Sequence, residues 1–82
     1  MRVRMRFACP GLFDGVPNGE YETPDSVNIR ECVESYASEY GVSLRENWPG
    51  NVLVLKDNKP VKNDEIITED SDVIVVHRIL GG

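Results

Sequence analysis

The stretch from Asn28 to Gly41 repeats its apolar side chains with the period of a helix, and this restricts the fold more than any other feature. Ile29, Cys32, Val33, Tyr36, Ala37 and Tyr40 fall on one face. Asn28 and Glu31 fit a capping box, in which the Asn side chain takes a backbone N–H and the Glu side chain returns a bond. Gly41 sits where a left-handed residue past the helix end is wanted. A single apolar stripe must be buried against another element, and the flanking segments are patterned as strands.

Residues 2–7 alternate strictly, with Arg2, Arg4 and Arg6 on one side and Val3, Met5 and Phe7 on the other. A period of two marks a half-buried strand. The arginine face is either solvated or a partner-facing basic strip. Breakers crowd Cys9 to Gly19, which reads as a loop with Leu12 and Phe13 tucked back onto the core. A short strand is expected at Glu20–Thr23, antiparallel to the first and ended by Pro24. Leu44 and Trp48 lie in an irregular stretch closed by Pro49-Gly50. Residues 52–55 read as a strand, Asp57-Asn58 as a turn and Lys59-Pro60-Val61 as a short return strand. Lys62 to Asp72 is polar apart from Ile66 and Ile67. Residues 73–79 are apolar on both faces, which is the mark of a central strand. The expected fold is α+β, a β-grasp roll. Its mixed sheet of four or five strands has the first and last strands parallel in the middle, and the helix crosses one face. Residues 1–80 form one domain, with 81–82 as a flexible tail.

The chain has 82 residues, which is one small domain. Folding a chain of this size buries about 60–65% of its extended surface, too little for a deep catalytic cleft. Its net charge of −5 argues against nucleic acid and favours a basic protein partner. Two cysteines and one histidine, with no CxxC, argue against a zinc finger, a disulfide scaffold or a four-cysteine cluster. No apolar leader region and no long apolar run occur, so neither a signal peptide nor a membrane span is expected. Free thiols fit a reducing cytoplasm. Cys32, on the apolar helix face, reads as a buried structural thiol. His77 is alone, without a nucleophile or metal partner at a useful spacing, and reads as a strand residue.

The unusual feature is Leu80-Gly81-Gly82, which follows a central strand directly. Two residues without Cβ fit a channel too narrow for side chains. They would place the Gly82 carboxylate at the tip of a probe. That carboxylate becomes an acyl donor once it attacks the α-phosphate of ATP. The chain has no phosphate-binding loop, so this step belongs to a partner's active site.

Several segments now resemble a known family. Phe7-Ala8 followed by Leu12 and Gly15, the hairpin from Val52 through Lys59-Pro60-Val61, the run Glu69-Asp70-Ser71-Asp72-Val73, and the Gly81-Gly82 end resemble the MoaD/ThiS-like ubiquitin-like sulfur carriers. These are the small subunit of molybdopterin synthase and the thiamine-pathway sulfur carrier. The chain departs from the first in lacking a Pro-Pro pair before its end, and from the second in its long first loop. The resemblance implies a carrier rather than an enzyme. A ubiquitin-activating-type enzyme would adenylate Gly82 with ATP, and a sulfur donor would convert it to a thiocarboxylate. A synthase large subunit or a thiazole synthase would accept the sulfur. The resemblance implies no metal or other cofactor on this chain and a monomer when free.

Along the last strand, Val73 and Val75 are expected to face the helix, leaving Ile74 and Val76 on an open, apolar docking face. Arg78 is expected either to pair with an acidic channel mouth on the partner or to stand as an exposed charge at the strand end, and Ile79 is counted with it among the partner-binding residues. Phe7 reads as core, although its counterpart in the family lies near the partner contact. Two alternatives to sulfur carriage remain. One is a ubiquitin-like modifier joined to lysines through Gly82, and the other is a β-grasp interaction domain without carrier chemistry.

Overall fold

A computed structural model describes residues 1–78. Seven strands and one α-helix follow in the order β1 (Arg2–Ala8), β2 (Gly19–Glu22), β3 (Val27–Asn28), α1 (Ile29–Glu39), β4 (Val52–Lys56), β5 (Lys59–Val61), β6 (Ile66–Ile67) and β7 (Ser71–His77). Five strands make one mixed sheet in the order β2-β1-β7-β4-β5, and β3 pairs with β6 in a separate two-stranded ladder. β1 and β7, the first and last strands, lie parallel, with Val3 opposite Ser71 and Ala8 opposite Val76. β7 is therefore internal, bounded on its other side by antiparallel β4, which explains why both its faces are apolar. The architecture is a small α+β arrangement of one helix and a mixed five-stranded sheet. Among the described residues, no helix is long and apolar enough to cross a membrane.

The helix starts and stops as its sequence requires, with one difference. The Asn28 side chain accepts from the Glu31 N–H at 2.7 Å. The return bond from the Glu31 side chain is not formed among the described residues, where Asn28 instead pairs with Ile66 in the β3–β6 ladder. That ladder also brings two carbonyls to the helix start. The Ile29 N–H donates to Glu65 O and the Arg30 N–H to Asn63 O, both at 2.9 Å. Three of the orphan donors of the first turn are thus satisfied. At the other end Val42 N–H donates to Ala37 O and Gly41 N–H to Ser38 O, with Gly41 at φ +76°. This is a Schellman cap, and the positive φ is why glycine stands there.

The helix stripe Ile29, Cys32, Val33, Tyr36 and Ala37 packs on the inward residues Val3, Met5, Val54, Val73 and Val75 in one core. All six aromatic residues form one connected set. Phe7 lies 4.9 Å from Phe13 and 5.9 Å from Tyr36. Phe13 meets the edge of Trp48 at 5.7 Å, while Tyr21 and Tyr40 lie against Tyr36 at 5.6 and 5.2 Å. Trp48 begins a short 3₁₀ turn, and its Nε1–H donates to Glu34 Oε2 at 2.9 Å. The irregular segment after the helix is thereby tied back to it.

The first loop corrects one expectation. Phe13 and Val16 are buried, but Leu12 is 37% exposed. Two successive turns, Leu12 N–H to Cys9 O and Val16 N–H to Phe13 O, direct residues 13 and 16 inward and leave Leu12 outside.

Candidate functional site

The helix covers one face of the sheet and leaves the other uncovered. Alternation along β7 buries Ser71, Val73 and Val75 on the helix side and leaves Asp72, Ile74 and Val76 half-buried on the open side. The register fixes their neighbours. Ile74 stands between Arg6 on β1 and Leu55 on β4, and Leu55 is next to Pro60 on β5. Val76 stands between Ala8 and Leu53. Two adjacent rows of the open face are therefore apolar across three strands, with Arg6 as their charged member. Leu53, Leu55 and Pro60 were not singled out from the sequence. The alternation of Val52–Lys56 carries that signal, because burying Val52 and Val54 necessarily turns Leu53 and Leu55 outward.

The open face has a second region of different character, where β1 and β7 begin. Arg2 lies 3.2 Å from Glu22 and 3.8 Å from Glu20, and Arg4 lies 3.6 Å from Asp72. Asp70 accepts from the Arg2 backbone N–H at 2.7 Å, and Asp57 accepts from the Asp72 N–H at 3.0 Å. Arg2, Arg4, Glu20, Asp57, Asp70 and Asp72 line one shallow groove. The arginine strip read from the alternation is thus split. Arg2 and Arg4 are paired with carboxylates, while Arg6 makes no ion pair among the described residues.

Of the candidate partner-binding residues, Ile74 and Val76 share the open apolar face. Arg78 is exposed at the end of that strand, where its N–H donates to Asn51 O at 3.1 Å and extends the ladder with β4. Phe7 is not brought together with them. Its ring lies on the helix side against Phe13 and Tyr36, because it shares the parity of Val3 and Met5. Ile79, Leu80, Gly81 and Gly82 lie outside the described residues.

Among the described residues, the remaining titratable groups show no assembled catalytic set. Cys9 and Cys32 are both buried free thiols. Burial pushes the Cys9 thiol up, and it pushes Cys32 from the usual 9.0 to about 11, so both are held protonated. Burial pushes the Tyr36 hydroxyl up to about 12, with the neighbouring Tyr40 and Glu39 acting in the same direction. His77 is exposed at the strand end. Among the described residues no group of three or more His, Cys, Asp or Glu side chains is arranged to hold a metal ion. No family model matches the chain, and no curated protein matches it.

Proposed function

We propose that this chain is a β-grasp sulfur carrier whose Gly82 carboxylate is activated and thiolated by partner enzymes. The observation that carries the reading is the Gly81-Gly82 pair standing a few residues beyond the central strand of a mixed sheet. Support comes from the strand order, in which a parallel first and last strand flank a single covering helix, as a β-grasp requires. Further support comes from the ladder, which holds the chain through Arg78, so that only Ile79 and Leu80 separate it from the glycines. The open face at Ile74 and Val76 adjoins that exit and suits a docked enzyme.

The chemistry needs little from the chain itself. A Gly82 carboxylate oxygen attacks the α-phosphorus of ATP on a ubiquitin-activating-type enzyme, and pyrophosphate leaves. The terminal sulfur of a persulfide donor attacks the carbonyl carbon of the resulting acyl-adenylate, and AMP leaves. A thiol then cleaves the S–S bond of the acyl persulfide, releasing the thiocarboxylate and forming a disulfide with the donor sulfur. The thiocarboxylate carries the sulfur to a synthase large subunit or thiazole synthase. The carrier's share is to present an unobstructed glycine end beside a docking surface. The buried, protonated Cys9 and Cys32 have no part in it.

The test is the intact mass after incubation with ATP, the adenylating enzyme of the same organism and a persulfide donor. A gain of one oxygen-for-sulfur exchange, mapped to Gly82 and absent after deletion of Gly82, is the expected result. The same spectrum reports whether Gly82 ends the working protein, as the reading requires. An unchanged mass, with the enzyme active on its own carrier, would favour an interaction domain. Gly82-to-lysine adducts in place of the sulfur gain would favour protein modification.

A further inference from the structure

The open face is electrically divided along the strands. At the end where β1 and β7 begin, Arg2 and Arg4 are outnumbered by Glu20, Glu22, Asp57, Asp70 and Asp72. At the end where β7 leaves the sheet the balance reverses. Arg6 stands beside Ile74 in the apolar rows without an ion-pair partner among the described residues. Lys62 and Arg78 line a groove at the edge of β4, where Leu53 of the open face meets the helix-side residues Val52, Val54 and Val61, and Asp64 is the one carboxylate of that lining. This cationic end belongs to a chain whose net charge is −5, so its sign opposes that of the molecule as a whole.

We propose that this end of the open face docks a protein surface presenting an apolar protrusion flanked by carboxylates, and that Arg6 is the residue that reads those carboxylates. The inference rests on the carrier reading for its purpose, but on charge complementarity for its content. Ile74, Val76, Leu53 and Leu55 supply a half-buried apolar floor across two strands. Arg6 on one flank and Lys62 with Arg78 on the other supply the cations. An acidic rim is attracted there and repelled by the acidic end, so only one orientation along the strands is favourable. That orientation sets the partner over the point where the chain leaves toward Gly82. Arg2 and Arg4 cannot do this, because neighbouring carboxylates already neutralise them.

The test titrates the isotope-labelled full chain with two short end-capped peptides that share a central Leu-Phe pair, one flanked by glutamates and one by lysines. Amide shifts are expected at Arg6, Leu53, Leu55, Ile74 and Val76. The glutamate peptide should bind tighter by about two- to fivefold, the size of one exposed ion pair. Arg6→Gln should remove most of that preference, Arg6→Lys should largely keep it, and Arg2→Gln should leave it unchanged. Equal affinity for both peptides, shifts elsewhere, or no binding would overturn the proposal. So would concentration-dependent shifts at this face without peptide, which mark a second copy as the occupant. The same shifts with phosphatidylglycerol vesicles, and none with peptide, would also overturn it by assigning the face to a membrane. No readout involves Gly82, so failure here and failure of the sulfur-transfer test are separable.

Discussion

Gly19 should resist replacement because of a single oxygen atom. A Cβ built on Gly19 falls 2.8 Å from the Tyr36 hydroxyl oxygen. That oxygen has little freedom to move. Tyr36 is 1% exposed, and its O–H donates to Pro17 O at 2.6 Å. Its ring is also held by Phe7, Tyr21 and Tyr40. In Gly19→Ala the overlap costs about 1–3 kcal/mol as overpacking. Weakening the Pro17 bond adds about 0.5–1.5 kcal/mol. The stiffer unfolded chain returns about 0.4–1 kcal/mol. The expected loss is therefore about 2 kcal/mol. In a Tyr36→Phe background the oxygen is gone, and the next atom, the ring Cζ, is at an ordinary 3.9 Å. There Gly19→Ala should be neutral or slightly stabilising, which gives a coupling of about 2 kcal/mol. Urea denaturation of the four proteins, followed by circular dichroism and Trp48 fluorescence, measures it. An equal loss in both backgrounds would refute the steric account and move the cause to the backbone of β2.

Three further outcomes follow from the packing and the caps. Phe13→Ala should lose about 3–4 kcal/mol in the same urea assay, because Phe13 is 5% exposed between Phe7 and Trp48; Leu12→Ala should stay within about 0.5 kcal/mol. Asn28→Ala should cost about 1 kcal/mol, whereas Glu31→Gln should change the urea midpoint little, since the cap is one-sided. Alkaline pH should destabilise the fold. Cys32 and Tyr36 are acids kept neutral by the fold, so the unfolded chain releases their protons first. The stability is whole below about pH 9 and falls as pH rises through about 11, the folded value for Cys32. Urea midpoints across that range should decline less steeply in Cys32→Ala, and an identical decline would contradict the assignment to this thiol.

Much of this was legible because single residues announced it. The strict alternation of Arg2 to Phe7, the Asn28 cap and the Gly41 stop each correspond to an element found where expected, and the two-faced run expected at 73–79 forms a strand that begins earlier, at Ser71, and ends at His77. The Asp57-Asn58 turn is real, with both residues at positive φ between β4 and β5. The β3–β6 ladder was illegible, because two residues cannot display a period. Ile67 is fully buried and Ile66 is 50% exposed, yet side by side they read only as an apolar pair in a polar stretch. The division of the open face was hidden for another reason. Alternation gives Arg2, Arg4 and Arg6 the same direction, and only the register across β2 and β7 shows which of them meets an acid. The glycine pair was conspicuous from the outset, but the role proposed for it calls on enzymes outside the chain.

The parallel pairing of β1 with β7 also sets the order in which this molecule can come into being. The Arg2 N–H bonds to an Asp70 oxygen across a sequence separation of 68 residues. The central ladders of the sheet therefore close the longest loop in the fold, and local hairpins supply little of the reward until they do. Folding should be slow for a chain of this size. Release of β7 removes its ladders to both β1 and β4 in one event. Ile74 and Val76 stand on that same strand, so no half-formed or clipped chain can display their face. On the proposed reading, a partner docking there would meet finished molecules only, a form of quality control that needs no separate device.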